Sequence, residues 1–344
     1  MNITLKEIAK KAGVSPSTVS RTLSDHPSIS LQTKEKIRKI MQEMEYEPTT
    51  TALSIKDSKT IAVVLPVSEK DSFENSFFLK CIRGISLFCN KKQYYSVVIT
   101  GASNDEVISA LDNLSKENKL DGVILLFSIE QDPIIKYLQS EGILYLLIGK
   151  DKRKPSETIY IDNDNISAGK EATDYLLDLG HTRIGYIGTN TTKIFSAERK
   201  SGYMLALAER GIPISQDYIL EMDIIPKSDD NRLMELLSME DRPTGLVVVD
   251  DIFAMVLDRT ASKLNLRIPD DLSIISFNNS LISQLATPQL TSMDVNSQQL
   301  GIEAASQIIN HIENPYLLPT KIIVPHFLVK RGSCKELTED GNRP

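Results

Sequence analysis

From Thr60 onward, short apolar runs alternate with longer amphipathic stretches. The runs at 60–65, 95–99, 122–127, 144–148, 183–187, 245–249 and 272–277 are rich in Val, Ile and Leu. Unbroken runs of this kind suit strands buried on both faces of a parallel sheet. Between them, residues 75–91, 104–118, 131–141, 164–179, 196–210, 251–264 and 297–312 carry apolar positions at helical spacing. Strand–helix alternation predicts an α/β body with parallel sheets, either one large sheet or two smaller ones. Residues 158–165 read as a crossing into a second unit.

Before Thr60 the pattern is helical only. Thr4-Leu5-Lys6-Glu7 is a capping box, followed by Leu5, Ile8, Ala9 and Ala12 at helical spacing. Gly13 ends that helix, because glycine takes the left-handed end conformation at little cost. Ser15 caps a second helix with Pro16 in its first turn, where the missing N–H is harmless. This helix carries Thr18, Val19 and Leu23. A third starts at Ser30 and carries Ile37, Ile40, Met41 and Met44. Helix, glycine turn, short helix, helix is a helix-turn-helix layout. Ser17, Thr18, Ser20 and Arg21 suit base edges and phosphates in a major groove. The competing reading is a three-helix bundle that binds protein.

Charge favours DNA. The chain carries −7 overall, but residues 1–39 hold eight basic and three acidic residues, a net +5 that leaves −12 on the remainder. A basic head on an acidic body confines nucleic-acid contact to the head. No run of 18 uncharged apolar residues exists, so no membrane span is expected; no apolar run follows Lys6, Lys10 and Lys11, so no secretory signal is expected. Cys81, Cys89 and Cys334 form no pair motif and read as reduced thiols of a cytoplasmic protein.

The run Thr4 to Ser24, with Ser30 to Arg38 and Tyr46-Glu47-Pro48, resembles the head of the LacI/GalR family of bacterial repressors. The resemblance implies that Pro16, Ser17 and Arg21 read bases, and that Thr4, Ser20, Ser28 and Thr33 contact phosphates. It implies a hinge helix at 48–59 with Ile55 as a minor-groove wedge. Such wedges unstack a base step and kink the duplex. Thr49, Leu53 and Ile55 depart from the family's usual hinge residues. The resemblance covers nearly the whole chain, with waypoints at 75–78, 83–85, 179–185 and 268–273. It implies a head at 1–47 and a two-lobed, type I periplasmic-binding-protein-like effector and dimerisation domain at 60–332. The N-lobe is expected at about 60–160 plus 292–322 and the C-lobe at about 161–291 plus 323–332. Residues 333–344 read as a polar tail without a leucine heptad, so a homodimer is expected rather than a coiled-coil tetramer.

In open parallel sheets, ligands sit beyond the carboxyl ends of strands. Lys150, Asp151, Asp162, Asn163, Asp250, Asp251, Asn278 and Asn279 follow apolar runs. Sugar hydroxyls are held by planar Asp, Asn and Arg groups, with an apolar face under the ring. The ligand set is therefore Asp151, Asp250 and Asn278, with Phe77, Phe78 and Phe195 as apolar faces. By resemblance, Arg199 aligns with the family's ligand-clamping arginine. Bland alternatives stand beside each: helix caps for Asp162, Asn163 and Asp251, an ion pair of Arg199 with Glu198 or Asp250, and plain core for Phe77 and Phe78. His181 reads as structural. Asn278 stands where many members carry Asp. The run 277–291 resembles that of the family's maltose-operon repressors.

The expected function is a repressor of carbohydrate-utilisation genes. It would bind a pseudo-palindromic double-stranded operator as a homodimer, with a small sugar, maltose or a malto-oligosaccharide, as effector. The alternative is a catabolite-type regulator controlled by a phosphorylated phosphocarrier protein, another sugar or a corepressor. No G-x-S-x-G, P-loop, H-E-x-x-H or G-x-G-x-x-G run is present, and four histidines suggest no metal cluster. No enzyme, metal or cofactor is expected.

Overall fold

The computed structural model describes residues 4–14, 16–23, 31–44, 46, 58–67, 75–129, 131–151, 156–190, 192–222 and 230–337. The head has helices α1 (Leu5–Ala12), α2 (Pro16–Leu23) and α3 (Leu31–Glu43). Both halves of the capping box form: Glu7 N–H donates to Thr4 Oγ1 at 3.4 Å, and Thr4 N–H donates to the Glu7 carboxylate at 2.8 Å. Gly13, with φ 68°, closes α1. Ile8, Ala9, Ala12, Val19, Ile37, Ile40 and Met41 make a small common core. That core fixes the angle between α1 and α2. The expected residues Ser15, Ser28 and Ile55, the hinge through 57 and the tail from 338 lie outside the described residues.

The body holds two six-stranded sheets. The first lobe runs β1 (Thr60–Val64), α4 (Ser76–Lys91), β2 (Tyr95–Ile99), α5 (Asn104–Lys116), β3 (Gly122–Leu125), α6 (Pro133–Glu141), β4 (Tyr145–Ile148) and β5 (Ile159–Asp162). The second runs α7 (Asn165–Asp178), β6 (Ile184–Thr189), α8 (Ile194–Glu209), β7 (Ile219–Met222), α9 (Asn231–Ser238), β8 (Gly245–Val248), α10 (Asp251–Lys263), β9 (Ser273–Phe277), α11 (Leu281–Leu285) and β10 (Thr291–Asp294). The chain then returns to the first lobe through α12 (Ser297–Glu313) and β11 (Lys321–Ile323), and ends in the second with β12 (Phe327–Val329). The strand orders are β11-β5-β4-β3-β1-β2 and β12-β10-β9-β8-β6-β7. All neighbours are parallel except β10 and β12.

Three crossings join the lobes, after β5, after β10 and after β11. One side chain ties them together: Asn163 Nδ2 donates to the Val295 carbonyl at 3.0 Å and the Val324 carbonyl at 2.8 Å. Each lobe also contains a helix pair packed backbone on backbone through two glycines. Gly84 and Gly301 lie at the contact of α4 with α12, and Gly169 and Gly202 at that of α7 with α8. A β-carbon at any of the four would collide with main-chain atoms of the facing helix.

Several expectations are corrected. Ile159–Asp162 is a strand of the first sheet, so the crossing shrinks to Asn163 and Asp164. Strands β7, β10, β11 and β12 and helix α11, three to five residues long, are too short for a clear periodic signal, and helix α9, with Leu233, Leu236 and Leu237 at helical spacing, adds to the predicted helices. Strand β2 reads as buried but is a sheet edge, leaving Tyr95, Val97 and Val98 exposed. The polar tail starts later than 333. Ser333 is buried, its hydroxyl donating to the Ile274 carbonyl at 2.6 Å and accepting from Thr291 N–H at 2.8 Å, and Leu337 N–H donates to the Leu179 carbonyl. The Ser333 hydroxyl and the Leu337 main chain together hold 333–337 on the second lobe.

Candidate functional site

The two sheets bring strand ends and the start of α8 to a common cleft. Arg199, on α8, is buried. Its Nε donates to Asn165 Oδ1 at 3.0 Å and its Nη1 to the Val249 carbonyl at 2.8 Å. The guanidinium lies between two rings, 4.2 Å from the Phe277 centroid and 5.0 Å from that of Phe195. Desolvation pulls its pKa down to about 10, so it stays charged at neutral pH. Neither ion pair considered from the sequence forms: Glu198 turns to Lys150, and Arg199 takes neutral acceptors.

Asp250 caps α10, one oxygen accepting from Ile252 N–H at 2.7 Å. Its other oxygen accepts from Asn278 Nδ2 at 2.6 Å and Asn75 Nδ2 at 3.3 Å. Burial, with Asp251 adjoining, pushes Asp250 up to about 6. The amide at 278 follows from this geometry: a carboxylate there would face Asp250 as a like charge, whereas Asn donates to it. Asn278 and Asn279 both have positive φ, 94° and 42°, a backbone that asparagine tolerates better than most residues.

Lys150, at the end of β4, reaches Glu198 on α8 at 2.8 Å and Asp162 at 3.7 Å. Burial raises Asp162 to about 6, against the opposing pull of Lys150. Its carboxylate also accepts from Asn165 Nδ2 at 3.1 Å. Lys80 Nζ donates to the Asn279 carbonyl at 2.9 Å, and Ile129 and Lys193 form a β-bridge. These contacts, with Asn75–Asp250, all join one lobe to the other.

The structure therefore brings together Arg199, Phe195, Asp250 and Asn278 of the sequence-based set. Phe78 is buried in the first lobe's core, with Phe77 edge-on at 5.4 Å. Phe77 is half-buried and packs against cores of both lobes. Asp151 accepts from Thr158 Oγ1 at 3.5 Å instead of reaching Asp250. Asp251 is tied up by the Ser276 and Ser292 hydroxyls and Ser280 N–H. His181 bonds Thr244 and the Lys335 carbonyl, a structural role. Sequence reasoning left out Asn75, Asn165 and Glu198. Asn75 and Asn165 sit at helix starts and look like ordinary caps; the juxtaposition of lobes brings the Asn75 amide to Asp250, and the packing of α7 on α8 brings Asn165 to Arg199.

In the head, Val19 and Thr22 of α2 face the core, and Thr22 Oγ1 bonds back to the Thr18 carbonyl at 2.9 Å. Pro16, Thr18 and Thr33 are partly exposed and Thr4 is exposed, as are Lys10, Lys11, Lys36, Arg38 and Lys39. The side chains of Ser17, Ser20 and Arg21 lie outside the described residues. No helix among the described residues is long and apolar enough to cross a membrane.

A basic three-helix head together with two parallel-sheet lobes that meet at a polar cluster is the layout of a DNA-binding regulator. Residues 4–49 match the family described as "Bacterial regulatory proteins, lacI family", and residues 173–334 match a "Periplasmic binding protein-like domain". The HTH-type transcriptional regulator MalR of Staphylococcus xylosus is 30% identical over 98% of this chain and 99% of its own length. A solved putative transcriptional regulator LacI from Bacillus cereus subsp. cytotoxis is 35% identical with a TM-score of 0.77, covering 81% of this chain and 99% of that one. A complex of the regulator CelR with cellobiose gives 25% identity and a TM-score of 0.75, covering 96% and 99%. The chain belongs to the lacI family of bacterial regulatory proteins. It is a DNA-binding transcriptional regulator, not an enzyme.

Proposed function

We propose that this chain is a dimeric, cytoplasmic repressor of carbohydrate-utilisation genes whose operator affinity is set by a small sugar in the cleft. The observation that carries the reading is the polar cluster of Arg199, Asp250, Asn75 and Asn278, flanked by Phe195 and Phe277. Planar acceptors and donors beside an aromatic face suit vicinal hydroxyls. The relatives named MalR favour maltose or a malto-oligosaccharide.

Dimerisation is supported by apolar side chains left exposed on both lobes. Leu79 and Leu87 on α4, Tyr95, Val97 and Val98 on β2, and Leu281 and Leu285 on α11 are exposed. The Lys80–Asn279 contact sets α4 beside the loop that leads into α11. A dimer using this face would hold two heads for a pseudo-palindromic operator, since half-site symmetry mirrors protein symmetry. Pro16, Ser17, Thr18 and Arg21 would read bases. Thr4, Ser15, Ser20, Ser28 and Thr33 would contact backbone, and Ile55 would wedge into the minor groove. Effector that changes the lobe arrangement would move both hinges, and by linkage DNA must weaken effector binding by the same factor.

The test is fluorescence anisotropy with a labelled pseudo-palindromic duplex carrying a central CG step, against a scrambled duplex at one fixed salt concentration. Selective binding that maltose weakens supports the whole reading. Selective binding indifferent to maltose removes that sugar. Equal binding to both duplexes removes this operator.

A further inference from the structure

The charges around the cleft floor narrow the chemistry of its ligand. Asp250 is half-buried; among the described residues its carboxylate accepts from two side-chain amides and one main-chain N–H and has no cation within salt-bridge distance, the Arg199 charge acting on it only from farther off. The neighbouring Asp251 accepts only from two hydroxyls and one N–H. The cations around this floor are held by protein groups: Lys80 donates to the Asn279 carbonyl at 2.9 Å, and Arg331 donates to the Leu290 carbonyl and the Asn279 side chain. Lys150 lies between Glu198 and Asp162. Arg199 gives Nε to Asn165 and Nη1 to the Val249 carbonyl, with rings on both faces.

We infer that the cleft takes an uncharged, hydroxyl-rich ligand and discriminates against its phosphorylated or carboxylated counterpart, with Asp250 as the discriminating group. The inference rests on the reading of the cleft as the effector site. A neutral polyol gives hydroxyl protons to the Asp250 carboxylate and accepts from the Asn75 and Asn278 amides. An anion at the same place gives Asp250 no proton and sets a second negative charge beside it in a poorly solvated site, where like charges repel far more strongly than in water. Burial already pushes Asp250 up to about 6. Hydroxyl donors hold it ionised, whereas a second negative charge drives it toward protonation.

The experiment compares matched pairs on the full-length protein by isothermal titration calorimetry: maltose with maltose 6′-phosphate, and cellobiose with cellobiose 6-phosphate. Operator anisotropy runs in parallel. The neutral member is expected to bind at least about tenfold tighter than its phosphate. In Asp250→Asn, which keeps a good helix cap, that ratio is expected to fall by about tenfold. A phosphate that binds as tightly as its neutral partner overturns the inference and leaves the sugar-effector reading standing. An unchanged ratio in Asp250→Asn overturns the assignment to Asp250. Silence from every pair, with operator binding intact, overturns the sugar-effector reading and this inference with it.

Discussion

Gly169 on α7 is where fold and cleft are most tightly joined. A β-carbon there would fall 2.9 Å from both C and Cα of Arg199, and nearer still to its carbonyl oxygen. The obstacle is main chain, so no rotamer change relieves it; α7 and α8 must move apart by several tenths of an ångström. Overpacking of this kind costs about 1–3 kcal/mol, and alanine returns about 1 kcal/mol in helix propensity. Collision with main chain puts the cost at the top of that range, so the net loss in Gly169→Ala is about 3 less about 1, or about 2 kcal/mol, a melting temperature lower by roughly 4–8 °C. Because the displaced residue is Arg199, its guanidinium shifts away from Asn165 and Val249. Loss of one charged hydrogen bond's geometry, about 1.5 kcal/mol, weakens effector binding about tenfold. Gly84→Ala supplies the control: its β-carbon would meet Gln298 and Ile302 main chain in the other lobe. It should lower the melting temperature similarly and leave effector affinity within about twofold. Thermal unfolding and calorimetric titration of both variants decide the matter. Equal loss of effector binding in the two would refute the link through Arg199, and an unchanged melting temperature in Gly169→Ala would refute the packing argument.

Effector affinity should fall as pH drops from 7.5 to 5.5, because protons compete with sugar hydroxyls for Asp250 and Asp162, both pushed to about 6 by burial; calorimetry across that range checks it. Without effector the sign reverses for stability: raised carboxyl pKa values make the folded state bind more protons between about pH 4 and 6, so these two groups' contribution declines as pH rises through that window. Asp250→Asn should flatten part of that profile in thermal unfolding. Replacing exposed Leu87 and Leu281 by Asp should yield monomers in sedimentation and weaken operator binding, with effector affinity unchanged. Glu7→Ala opens the capping box at α1 and should destabilise the head, read as weaker operator binding with unchanged effector affinity.

Local chemistry alone determined much of this protein. The Thr4–Glu7 box, Gly13 and the Ser15-Pro16 restart draw the head, because capping and backbone preference act within a few residues. Val- and Ile-rich runs draw the central strands of both sheets, because two-sided burial demands unbroken apolar sequence. The edge strands β11 and β12, three residues each, carried no such mark, since they bury one face or none. Which polar groups meet was not legible either. Asn163 and Asn75 look alike in sequence, each ahead of a helix, yet one ties the three crossings and the other reaches Asp250 on the opposite lobe. Lys150 follows an apolar run and looks like a loop lysine in sequence, yet it spans the cleft to Glu198. Alternation and capping are properties of a chain segment. A cleft is a relation between segments 28 to 199 residues apart, and only packing of the two lobes decides it.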